Sequence, residues 1–201
     1  MTVHDITIEV GFEKQPRDAI PDSSMCLGGV RILIDGEPLT VYEREVDGSV
    51  PEEDEQPYYD ASGDPLLTGR GIRGEYIAPT VLRLLGVATD LQDTVDRFSE
   101  RQIDLVQSVD ALLIISFLDG QSLRVAFQTD HGRLATPETP QPPVDRALGR
   151  AVDRTAFLRA VVDAGDAYLA YAEAAGWTPD RSDEMNAEIS STLATLREPL
   201  K

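Results

Sequence analysis

Twice in this chain a β-prone run meets Asp-Gly and is followed by another such run. Val30-Arg31-Ile32-Leu33-Ile34 leads into Asp35-Gly36, and Leu39-Thr40-Val41-Tyr42 follows. Leu112–Leu118 leads into Asp119-Gly120, and Ser122–Phe127 returns. Asp and Gly both accept the positive φ of a tight turn whose twist matches its strands, so each unit reads as an antiparallel hairpin. A third signal precedes them. Ile6, Ile8, Val10 and Phe12 alternate with Thr7, Glu9 and Glu13, the period of a strand with one face in a core. Together these predict an antiparallel sheet of about five strands.

Helical spacing dominates elsewhere. Pro79 suits the first turn of a helix through Val81, Leu82, Leu84 and Leu85 that weakens at Gly86. Thr89 is placed to cap a second helix along Leu91, Val95, Phe98 and Leu105, interrupted by Gln102. Residues 136–143, TPETPQPP, suit neither a helix nor an inner strand and read as a proline-rich connector. The region 144–201 after it reads as helical. Thr155 stands as the N-cap of a helix through Phe157, Val161, Gly165, Tyr168 and Ala172, which ends near Gly176. Gly165 in the buried stripe allows a close backbone approach. A last helix carries Met185, Ile189, Leu193 and Leu196. Sheet and helices are segregated along the chain, which predicts one α+β domain over 1–201. In it, a middle helix and a C-terminal helical hairpin pack on the sheet.

Charge supplies the strongest functional constraint. The 201 residues carry 36 acids and 18 bases, for a net charge of −18. Direct binding to nucleic acid or to anionic lipid runs on clustered Lys and Arg, so neither is expected. The charge is concentrated. Residues 1–65 hold 16 acids and 4 bases, against 20 and 14 in residues 66–201. Within 43–64 alone, 9 acids face only Arg44. Adaptation to high salt would acidify the whole surface, so this clustering points to an interaction segment instead. Segment 43–65 has no apolar periodicity and reads as an acidic loop, and loops of that length are usually functional or disordered. Glu52, Glu53, Asp54 and Glu55 form its densest acid cluster, followed by Tyr58, Tyr59 and Asp60. Aromatic residues amid charges can anchor a partner, or pin the loop to its own domain.

Catalytic motifs fail on context. Gly69-Arg70-Gly71-Ile72-Arg73-Gly74 matches G-x-G-x-x-G, but only Leu66-Leu67 precedes it and no helix opens within it. Arg70 and Arg73 remain an alternative anion site, because two guanidinium forks can hold a phosphate or carboxylate. His4 and His131 have no partner at helical metal-binding spacing. Ser23 and Ser24 lack a nucleophile elbow. Cys26 is the single cysteine, which excludes internal disulfides and reads as a buried, inert thiol. Asp60, Ser62 and Asp64 begin a calcium-loop pattern that Pro65 and Gly71 break. Asp93, Asp96, Glu100 and Asp104 read as one solvated helix face, with Arg97 and Arg101 among them. No catalytic residue, metal or cofactor is therefore expected. With no signal-peptide pattern and no long apolar run, a cytoplasmic location is expected. The sequence points to a non-catalytic acidic module for a basic protein partner. Immunity proteins, antitoxins and nucleic-acid mimics share such acidity, by analogy alone. The alternative is a small-ligand binder or enzyme built on Arg70 and Arg73.

Overall fold

The computed structural model describes residues 2–13, 26–41, 57–60, 62–67, 69–93, 100–104, 111–129, 149–176 and 184–200. Among the described residues the fold is α+β, with two antiparallel sheets and three helices. In the first sheet, β1 (Ile6–Phe12) pairs with β2 (Leu27–Ile34), placing Ile8 opposite Ile32 and Gly11 opposite Gly29. Strand β2 also pairs with β3 (Glu37–Pro38) at one end and β6 (Arg73–Tyr76) at the other. Beyond β1 lie β4 (Tyr58–Tyr59) and β5 (Pro65–Leu67). The second sheet has the order β10-β9-β8-β7, from Arg150–Asp153, Ser122–Thr129, Ala111–Phe117 and Glu100–Asp104. The two expected hairpins therefore lie in different sheets. His4 joins them, its N–H donating to Ala151 O at 2.9 Å in a single parallel bridge to β10.

The two Asp-Gly turns differ in kind. Asp35 (φ 53) and Gly36 (φ 79) both take the left-handed conformation that the sequence predicts for a tight turn. Neither Asp119 nor Gly120 has positive φ. There the Asp119 carboxylate shapes a wider turn by accepting from the N–H groups of Gln121 and Ser122, at 2.9 and 2.8 Å. The first return strand is shorter than expected and comes earlier, at Glu37–Pro38; Leu39–Val41 of the expected run are in no strand, and Tyr42 lies outside the described residues. Pro38 has no N–H for a ladder, and the chain leaves β2 at Thr40, while β6 occupies the other stretch of that edge.

Helix α1 (Ile77–Asp93) runs unbroken through Gly86 and Thr89. Thr89 is no cap, since its hydroxyl donates back to Leu85 O at 3.0 Å. The helix expected across 91–105 is replaced in its last part by β7, where Ile103 is buried and pairs with Leu113. Glu100 and Asp104 therefore belong to a strand rather than to a helical acidic face, and Asp96 lies outside the described residues. Arg101 Nε bonds Asp90 at 2.7 Å, tying β7 to α1.

Strand β10 shows that the region after 144 is not helical throughout. It passes directly into α2 (Arg154–Ala174), which shifts the N-cap from the expected Thr155 to Asp153. The Asp153 carboxylate accepts from Ala156 N at 2.8 Å, satisfying one of the four unbonded N–H groups of the first turn. Gly176 (φ 85) follows the helix end, as predicted. Helix α3 (Glu184–Arg197) buries Asn186, Ile189, Leu193 and Leu196, followed by a 3-10 turn at Glu198–Leu200.

One main core unites both sheets and all three helices. Ile6, Ile8, Val10, Val30 and Ile32 meet Leu113, Ile115 and Val125 there, with Leu84, Phe157 and Leu193 from the helices. Helix α2 packs on β1, and α1 and α3 pack on α2 and on each other. The close approach expected at Gly165 is present, with Leu193 packed where a Cβ would stand. Strand β8 is buried on both faces, because Leu112 and Ile114 join Ala126 in a separate cluster. That double burial accounts for its unbroken apolar run.

Candidate functional site

The acidic stretch is bracketed by two well-packed nodes. Residues 42–56 lie outside the described residues, and with them Glu52, Glu53, Asp54 and Glu55. The node before the stretch is built on Thr40. Its Oγ1 accepts from Ile32 N at 3.3 Å and donates to Gly71 O. The Thr40 carbonyl accepts from Arg73 Nε at 2.8 Å. Gly71 has φ +84, and Pro38 Cβ would stand 2.6 Å from any Cβ placed there, so two requirements select glycine.

The node after the stretch is built on Tyr58. Its side chain is buried in a small cluster with Leu67 and Ile72, separate from the main core. This cluster lies on the outer face of the first sheet, over Gly11 and Gly29, which stand directly opposite each other. A Cβ at Gly11 would come 2.7 Å from Tyr58 Cβ, and one at Gly29 3.1 Å from the tyrosine ring. Asp60 closes the β4–β5 turn. Its Oδ1 accepts from Ser62 N at 2.8 Å and Asp64 N at 2.9 Å. Of the residues singled out from sequence, Tyr58 therefore pins the chain to its own sheet and Asp60 shapes a turn. Tyr59 is half-buried and pairs with Phe12.

The glycine-rich motif has a structural explanation. It forms a turn with positive φ at Gly69 and Gly71, then becomes β6, whose Gly74 pairs with Gly29. Arg73 is 3% exposed and directs its guanidinium to the Thr40 carbonyl. Arg73, one of the two guanidinium groups of the alternative anion site, is thus bonded to the backbone. Arg70, the other, is half-buried in the turn.

Two further groups bear on chemistry. Cys26 is buried, and desolvation pushes its thiol up to about 12, with the Tyr171 hydroxyl pulling the other way and Glu13 adding to the rise. The thiolate is the reactive form, so at pH 8 its fraction falls about a thousandfold below that of an ordinary thiol. Ellman's reagent is expected to leave the folded chain unmodified at pH 8 and to titrate one thiol in denaturant. Rapid labelling of the folded chain would contradict this. His4 Nδ1 lies 2.5 Å from Asp35 Oδ2, and Asp5 N donates to the other oxygen at 3.0 Å. The His4 bond is the main reason the Asp35 carboxyl is held below its ordinary range, followed by the Asp5 amide. Among the described residues no group of three His, Cys, Asp or Glu is placed to hold a metal ion. His131 lies outside them. No described helix is long and apolar enough to cross a membrane.

Sequence reasoning did not identify Thr40 or the Gly11–Gly29 pair. Gly28-Gly29 inside an otherwise β-prone run was the available signal, since a strand glycine often marks a close approach. Comparison with protein families, curated proteins and solved structures finds no match for this chain.

Proposed function

We propose that this chain is a non-catalytic, acidic interaction module whose 43–64 stretch engages a basic protein partner. The observation that carries the reading is the local excess of charge, 9 acids against one arginine over 43–64. Concentrated charge speeds encounter with an oppositely charged partner and selects against others. The packed nodes at Thr40 and Tyr58 support the reading, because they anchor the chain on either side of the cluster to one sheet. Glu52, Glu53, Asp54 and Glu55 then supply the attraction, with Tyr59 and Asp60 at the margin. Tyr58 serves as the anchor beneath. An immunity-like or nucleic-acid-mimicking role belongs to this class.

The test is capture from native extract at low and high salt, followed by titration of the purified partner. Replacing all four acids by lysine is expected to weaken binding at least about tenfold, or 1.4 kcal/mol, and to flatten its salt dependence. Circular dichroism and melting temperature should stay unchanged. Equal affinity of the reversed variant and the parent would sink the proposal.

A further inference from the structure

We infer that the cleft between one edge of β1 and helix α2 takes up a short extended peptide as an added strand. Hydrogen-bond parity defines that edge. Asp35 N donates to Asp5 O and Glu13 N donates to Leu27 O, so the odd-numbered residues of β1 exchange bonds with β2. The even-numbered ones turn the other way. His4 N donates to Ala151 O of β10, and Phe12 pairs with Tyr59 of β4. Between those two contacts, Ile6, Ile8 and Val10 direct N–H and C=O to an edge that no described strand pairs. That edge meets open space. A cleft of about 230 Å³ is lined by Ile6, Thr7 and Ile8 on one side and by Ala156, Arg159, Ala160 and Asp163 on the other. The four helix residues recur at i, i+3, i+4 and i+7, one stripe of α2. Ala156 and Ala160 keep its floor low, while Arg159 and Asp163 are exposed at its rim.

Size, shape and charge select the occupant. The volume falls below the roughly 300–1,000 Å³ of small-molecule pockets. A strand edge instead offers a row of main-chain donors and acceptors that an extended segment matches. A second copy fits poorly, because antiparallel pairing of two β1 strands about Ile8 would drive β10 of each copy against β4 of the other. Arg159 and Asp163 lie about 6 Å apart along the helix axis, four residues at 1.5 Å each. Side chains two residues apart on a strand are spaced by about 6.6 Å. An acid and a base at i and i+2 of the peptide therefore reach the two rim charges, with their aliphatic stems over Ala156 and Ala160. This surface is separate from the acidic stretch and does not depend on it.

Amide exchange followed by NMR tests the inference on the full chain, residue by residue. The probe is a short threonine-rich peptide, blocked at both ends, with Glu and Lys two residues apart. In the free chain, the amides of Ile6, Ile8 and Val10 are expected to exchange at least about tenfold faster than those of Thr7 and Glu9. Millimolar peptide should slow Ile6 and Ile8 and leave Thr7 and Glu9 unchanged. N-methylation of alternate peptide amides should abolish the effect in one frame and spare it in the other, because only one frame faces β1. Arg159→Glu, a change at an exposed position, should weaken binding at least about threefold with the circular dichroism spectrum intact. Four results would each overturn the inference: no slowing at Ile6 and Ile8, the same outcome in both methylation frames, affinity unchanged by Arg159→Glu, or edge amides already protected in the free chain. Protection that rises with protein concentration alone would assign the edge to a second copy and overturn it as well.

Discussion

Gly28→Ala is expected to destabilise the whole fold by about 3 kcal/mol or more, the upper end of what overpacking a rigid site costs. Gly28 lies on the inner side of β2, opposite Phe12 in register. A methyl group there would run into the Gly11 carbonyl oxygen and lie 2.6 Å from Ile77 Cγ1. The carbonyl belongs to the neighbouring strand and cannot turn away without breaking the β1–β2 ladder. Ile77 is equally constrained, being fully buried where β6 passes into α1. Chemical denaturation followed by circular dichroism measures the loss. A midpoint within about 0.5 kcal/mol of the parent, the range of ordinary surface substitutions, would refute the argument. Gly11→Ala provides the contrast. Its added methyl would first meet side-chain atoms of Tyr58 and Leu67, which lie outside the main core, so two glycine substitutions in paired strands should differ sharply in global stability.

Phe12→Ala should cost about 3–5 kcal/mol, the usual range for deleting a buried aromatic ring. Phe12 is 1% exposed, and its ring stacks on Tyr171 at 3.7 Å with 2° between the planes. Tyr168 lies 6.4 Å away in a tilted arrangement, and its hydroxyl donates to buried Asn186 at 2.6 Å. The ring thus joins the last residue of β1 to α2, and through Tyr168 to α3. Removing it opens a cavity bordered by groups that cannot all collapse inward, because the Tyr168–Asn186 bond fixes one wall. Phe12→Leu should recover part of the loss through retained volume, but not the stacking, worth about 0.5–1.5 kcal/mol. Equal stability of the Ala and Leu variants would show that the ring's packing has no such role.

The pattern of what could be read from sequence follows from where each signal is local. Period-two alternation identified β1, and Asp35-Gly36 identified the β2–β3 turn, because both depend on residues adjacent in the chain. The 3.6-residue pattern placed α2 and α3 for the same reason. Errors arose where an element depends on a distant partner. Residues 100–104 carry few apolar side chains, yet they form β7 because β8 presents an open edge. The short β3 depends on Pro38 and on β6 occupying the other part of β2. The division into two sheets depends on strands distant in the chain, with β6 joining β2 and β10 joining β9. At the candidate site, charge density was legible by counting. Pinning by Tyr58 was one of two readings its aromatic ring allowed, while the anchoring roles of Thr40 and Arg73 were not legible, since each depends on backbone groups remote in sequence.

The position of α2 against β1 has a consequence for how the molecule is made. The apolar face of β1 is complete once Phe12 has been synthesised, yet the helix that covers it begins roughly 140 residues later, at Arg154. A growing chain must therefore hold β1 without its final cover until more than three-quarters of these residues have been translated. Such long-range closure favours slow, late acquisition of the native state. The acidic stretch emerges well before that closure, so its mutual repulsion acts on a nascent chain whose apolar strand is still unsheltered, at the stage when keeping neighbouring chains apart matters most.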